Sequence, residues 1–153
     1  MTPERLAPGD PRLPATLDLI RDAFAYMDGR VDPPSSIHRM TLDALTDHAR
    51  RGEVWVIGPA PLAAVILQVK PDTLYLGKLA VAQTARGTGL ARVLVDQAKS
   101  EARAQGLPTI TLQSRVELTD NHATFQKLGF VITGGTRHDG YDRDTSYTFT
   151  LTL

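Results

Sequence analysis

Arg86, Gly87, Thr88, Gly89, Leu90 and Ala91 form a glycine-rich turn between the apolar run KLAVAQTA and a stretch with helical spacing. A strand–turn–helix junction of this kind can hold phosphate. The N–H groups that open a helix lack backbone partners, and the helix dipole favours negative charge there. Gly87 and Gly89 lack side chains that would hold an anion away from the backbone. Arg86 and Arg92 add positive charge to the same turn, or serve as surface arginines. A dinucleotide fingerprint would need a third small residue where Arg92 stands, because that position packs helix against strand. The P-loop pattern G-x-x-x-x-G-K-[ST] is absent from the sequence.

Other chemistries are narrowed by composition. The chain has no cysteine, which removes thiolate ligands and cysteine nucleophiles. Its four histidines lack metal-ligand spacing, and no G-x-S-x-G elbow occurs. Lys plus Arg and Asp plus Glu number 17 each, so no basic excess points to nucleic acid. No apolar run reaches the ~18 residues of a membrane span, and the opening residues form no signal core. These features predict a cytoplasmic protein without nucleic-acid or membrane partners.

The elements that must position the turn follow from periodicity. Leu13, Leu17, Ile20, Phe24 and Met27 predict an amphipathic helix. The breaker DGRVDPPSS comes next, and Ser35 or Ser36 is expected to cap a second helix over about 37–50. EVWVIG, LAAVILQV and TLYLGKLAVA predict three strands, the last central because it is apolar on both faces. A helix from Gly89 to Gln105 follows, with Leu90, Leu94, Ala98 and Ala102 along one stripe. TITLQS is a strand. LTDNHATFQKL is a short helix with Thr119 as its expected cap. FVITG is a strand, and SYTFTLTL alternates strictly. The order predicts one α/β domain, residues 1–153, around a mixed sheet.

Arg86-x-x-Gly89-x-Ala91, directly after KLAV, resembles the acetyl-CoA site of the GNAT superfamily of N-acetyltransferases. NHATFQKLGF, residues 121–130, is similar to a second stretch of that family, and the element order matches over nearly the whole chain. The resemblance implies a single-domain fold with a mostly antiparallel sheet, a splayed central strand and about four helices. It implies acetyl-CoA as cosubstrate, no metal, and an amine acceptor that is a small molecule or a peptide. A homodimer and an acyl group longer than acetyl both stay open.

Residue by residue, the resemblance places the pyrophosphate on Arg86, Gly87, Thr88, Gly89, Leu90 and Ala91. The backbone of Leu79, Ala80 and Val81 would meet the pantetheine arm, and Asn121 would bond it. Phe125 stands where most members carry a tyrosine that protonates the departing thiolate. Water, His122, Tyr141 or His138 are the alternatives, and a non-catalytic acyl-CoA-binding module is the rival reading. Tyr75 aligns near the base of some relatives, and Glu117 is the nearest carboxylate. The acceptor is expected on the face opposite coenzyme A, between the loops YMDGRVDPPSS and GTRHDGYDRDT. There Tyr26, Asp28, Asp32, Tyr141 and Asp142 are candidate contacts. The aspartates would suit a cationic amine, and arginines such as Arg30 and Arg143 would suit a carboxylate.

Overall fold

The computed structural model describes residues 2–153. Its strands are β1 (Glu4–Arg5), β2 (Val54–Ile57), β3 (Ala63–Val69), β4 (Leu74–Val81), β5 (Thr109–Arg115), β6 (Val131–Thr136) and β7 (Ser146–Thr152). Its α-helices are α1 (Leu13–Phe24), α2 (Leu42–Arg50), α3 (Leu90–Ala104) and α4 (Thr119–Lys127). The seven strands form one sheet in the order β1-β2-β3-β4-β5-β7-β6. Only the β4–β5 pair is parallel. The expected mixed, mostly antiparallel sheet is what the chain forms.

Both sheet faces are covered, which is why β3 is apolar almost throughout. Ala63, Val65 and Leu67 pack with Leu94, Val95, Ala98 and Ala102 of α3. Ala64 and Ile66 join Leu17 and Ile20 of α1 and Leu45 and Ala49 of α2 on the other face. The small Ala98 and Ala102 bring α3 close to the sheet, and both are fully buried. In β7, Phe149 and Leu151 enter the first cluster, so the alternation of SYTFTLTL reflects one buried face.

Two expectations change. The segment predicted as one helix over 37–50 is split. Ser35 Oγ accepts from Ile37 N–H and caps a short 3₁₀ turn, Ser36–Arg39, and Thr41 Oγ1 caps α2 by accepting from Ala44 N–H. Each side chain satisfies a different helix start, so the two caps mark two helices. Thr119 is the first residue of α4 rather than its cap; Leu118 takes the cap position without a side-chain bond. The sequence reading also missed β1, whose two residues are too short to show periodicity.

The step that shapes the site lies in β4. Leu76 pairs with Leu67, but Ile66 pairs with Lys78, so Gly77 is an extra residue on β4. Leu74 and Leu76 face α3, and so do Leu79 and Val81 beyond the bulge. Lys78 and Ala80 are therefore turned to the α1 face. β4 pairs with β5 only at Leu74↔Ile110 and Tyr75↔Thr111. Past that point the strands separate, and among the described residues the β5-side edge of β4 from Gly77 to Val81 has no strand partner.

Candidate functional site

The gap between β4 and β5 opens into a cleft of about 1170 Å³ that runs through the sheet. One half is built by the start of α3 and the inner side of α4. Arg86, Gly87, Gly89, Leu90, Ala91 and Arg92 line it, with Asn121, Thr124, Phe125 and Leu128 opposite. The other half is built by Phe24 at the end of α1, Tyr26 and Arg30 after it, Tyr75 and Lys78 of β4, Gln113 and Arg115 of β5, and Arg137 and His138 after β6.

The α3 turn is shaped by two left-handed glycines, Gly87 at φ 78° and Gly89 at φ 86°. Gly89 occupies the cap position of α3. A Cβ at either would meet no neighbour within 4 Å, so the left-handed backbone, not space, is what favours glycine there. Among the described residues, no backbone carbonyl accepts from any N–H between Gly87 and Arg92. That leaves consecutive donors at a helix start, the arrangement an anion requires. Thr88 contributes its N–H alone, since its hydroxyl donates to the carbonyl of Ala85 at 2.5 Å. Ala80 is buried against the α1 cluster, so only its backbone can reach the gap.

On α4, Phe125 lines the cleft and stacks edge-on with Phe130 at 6.1 Å. Asn121 lies one turn earlier. Its Nδ2 donates to Tyr26 Oη at 2.5 Å, which joins α4 to the loop after α1 across the cleft.

The candidate catalytic residues are not brought together. His122 is buried against Tyr147 and Phe149, and its Nε2 donates to the carbonyl of Arg115 at 2.9 Å. A carbonyl only accepts, so the proton sits on Nε2 and the ring serves the fold. Glu117 lies outside the cleft lining: Oε2 accepts from Asp32 N–H at 3.1 Å, and Oε1 is buried without a partner among the described residues. Tyr75 does line the cleft. Burial pushes its phenol above the ordinary tyrosine value, so the hydroxyl keeps its proton at neutral pH.

The two acceptor loops do meet, but not as expected. Tyr141 Oη donates to Asp32 Oδ1 at 2.5 Å, and Arg143 Nη2 lies 3.5 Å from Asp32 Oδ2. Asp28, Asp32, Tyr141 and Asp142 are all outside the cleft lining, and the contacts of Asp32 with Tyr141 and Arg143 tie the two loops to each other. Of the predicted acceptor contacts, Tyr26 and Arg30 line the cleft.

The sequence reading missed Lys78 and Arg115. Lys78 lies half-buried under the ring of Phe24, 5.9 Å from its centroid, and burial together with the nearby Arg115 pushes its ammonium below the ordinary lysine value. The signal was the spacing of apolar residues in LYLGKLAV, which steps by two, three and two, and so exposes the residue after the bulge to the other face. Among the described residues, no group of His, Asp or Glu is arranged to hold a metal ion. No described helix is long and apolar enough to cross a membrane.

Comparison with known proteins agrees with this geometry. No curated protein matches the sequence. Many solved structures share the fold at low identity, among them the following three. The PaiA N-acetyltransferase of Thermoplasma acidophilum, in complex with coenzyme A, matches with a TM-score of 0.78 at 13% identity over 100% of both chains. A GNAT-family acetyltransferase of Listeria monocytogenes matches at 0.74 and 19% identity, over 99% of this chain and 94% of that one. The ribosomal-protein-S18-alanine N-acetyltransferase of Escherichia coli matches at 0.68 and 19% identity, over 99% and 92%. The model of the acetyltransferase (GNAT) family matches residues 13–130, and the chain belongs to that family.

Proposed function

We propose that the chain, acting as one domain over residues 1–153, transfers an acetyl group from acetyl-CoA to a primary amine by direct attack. The observation that carries this reading is the run of unpartnered N–H groups from Gly87 to Arg92, at the end of a cleft that passes between two separated strands. Coenzyme A supplies an acyl thioester on a long arm that ends in a pyrophosphate. The α3 turn suits the pyrophosphate, with Arg86 and Arg92 adding charge at its rim. The open edge of β4 at Leu79, Ala80 and Val81 suits the arm, bound as an added strand would be. An N–H on that edge, aimed at the thioester oxygen, would stabilise the charge that develops there.

The amine must shed a proton before it attacks, since an alkylammonium has a pKa near 10. Tyr75 keeps its own proton and Glu117 lies outside the cleft, so water in the wide cleft takes this role. Phe125 has no proton for the departing thiolate. A thiol with a pKa of about 8.5 leaves with little assistance, and water protonates it. Asn121 positions Tyr26 over the junction of the two halves.

The test is to incubate the protein with acetyl-CoA and pooled primary amines and to assay free thiol. Release that depends on both protein and amine is the expected result. If acetyl-CoA raises the melting temperature while no amine releases thiol, the chain is an acyl-CoA-binding module instead.

A further inference from the structure

Two basic side chains flank the cleft where β4 and β5 part, one from each strand. Lys78 follows the Gly77 bulge and faces the α1 side. Arg115 ends β5 and lines the same cleft. Neither has a carboxylate partner among the described residues. Lys78 makes one contact of note, with the ring of Phe24. Arg115 donates Nη1 to the carbonyl of Pro33 at 2.5 Å and Nη2 to that of Pro34 at 3.3 Å. These bonds orient the guanidinium without cancelling its charge.

Two acids from neighbouring segments are engaged with other groups. Asp32 is held by Tyr141 and Arg143, and Glu117 takes the N–H of Asp32. Asp120, in the first turn of α4, is the one acid that lines the cleft among the described residues. Two like charges in a partly desolvated cleft are unfavourable unless an anion joins them.

The pyrophosphate of coenzyme A does not answer this need. Its proposed seat is the α3 turn, and Lys78 is turned to the sheet face opposite Leu79 and Val81. The anion has to arrive with the acceptor. Lys78 is also the immediate neighbour of the β4 edge where the thioester would lie, so the anion and the attacking nitrogen are separated by few bonds.

We infer that the acceptor is a small amino acid-like molecule, its amine a few bonds from a carboxylate that Lys78 and Arg115 hold at the β4–β5 gap. This rests on the acetyl-transfer reading and names its substrate class. A guanidinium and an ammonium together suit a carboxylate, one as a planar fork and the other as a point charge. Diamines would meet repulsion at the same place.

The experiment uses the full chain with acetyl-CoA and three matched sets of acceptors: free amino acids, their C-terminal amides, and aliphatic diamines. Free amino acids should show a kcat/KM at least about tenfold above their amides, the worth of a bond between charged groups. Lys78→Gln and Arg115→Gln should each shrink that ratio by raising KM for the acid, and Lys78→Arg should restore part of it. A preference for amides or diamines in the unaltered protein overturns the inference and leaves acetyl transfer standing. So does an acid-to-amide ratio that survives both glutamine variants, or a loss confined to kcat. No thiol release with any of the three sets overturns the acetyl-transfer reading itself.

Discussion

The two halves of the cleft are made of different material. The half at α3 is built from backbone: two left-handed glycines and a run of N–H groups that no carbonyl accepts. The half facing α1 is built from side chains that four separate segments deliver, among them Tyr26, Lys78, Arg115 and His138. A backbone site tolerates little variation in its few residues, because φ and the absence of Cβ do the binding. A side-chain site can change its ligand by exchanging one charge. The first half therefore suits a ligand common to a family, and the second suits one that differs between members.

The sharpest break of this contrast is Gly89→Glu. The new side chain must adopt φ 86° and sets a carboxylate in open space beside the α3 N–H groups. Acetyl-CoA affinity should fall by about a hundredfold or more, since charged hydrogen bonds are each worth roughly 1.5–3 kcal/mol. The stabilisation of the melting temperature by acetyl-CoA reads it directly, with circular dichroism confirming the fold. An undiminished shift in a folded variant would remove the pyrophosphate from this turn.

Phe125→Tyr sharpens the boundary between the halves. The ring lines the cleft and rests against Phe130 and Phe149, so circular dichroism is needed to confirm that the added hydroxyl leaves the fold intact. Turnover should hold or rise, most at low pH, by less than the roughly 10²-fold a positioned acid contributes. A loss of acetyl-CoA binding in this variant would place the ring away from the sulfur.

The same contrast explains what was legible in the sequence. The turn at 86–91 was readable because its residues are consecutive and glycine spacing is informative by itself. The sheet was readable from short apolar runs and from the strict alternation of SYTFTLTL. In the acceptor half Tyr26 and Arg30 were readable from their loop, but Lys78 was not, because its facing depends on one inserted residue. Gly77 reverses the facing of everything after it, which turns Lys78 to the α1 side and Leu79 to the other. Of the loop aspartates, Asp32 holds loop to loop through Tyr141 and Arg143. His122 was credible by its place near the motif, yet its neighbours Tyr147 and Phe149 come from a strand 25 or more residues away.

Asn121 and Tyr26 test whether the halves are coupled. Their bond of 2.5 Å spans the cleft. Asn121→Ala and Tyr26→Phe should each cost about 1 kcal/mol of stability, the net worth of a hydrogen bond. The double variant should cost little more than either single one, because both remove the same contact. Urea denaturation of the four proteins measures this. Fully additive losses would show that the bond does not form in solution.

The smallest effect should come from Lys78, and its sign sets function against stability. The groups facing this ammonium are the Phe24 ring of α1 and the Arg115 guanidinium of β5. Burial and the like charge hold its folded pKa below the unfolded value of about 10.4. Below both values the folded chain carries the full penalty of a charged lysine. As pH rises through the folded value toward the unfolded one, the unfolded chain holds more protons and the folded state gains stability. Lys78→Met removes the charge and keeps the length. It should raise the melting temperature at pH 7, by an amount on the order of 1 kcal/mol as for other charges placed in sites for function. That advantage should narrow between pH 7 and pH 10.4, because the unaltered protein sheds its penalty over that range. Thermal melts of both proteins across the range measure it. An advantage that stays constant with pH would mean that Lys78 is solvated like a surface lysine, and the electrostatic contrast between the two halves would be lost.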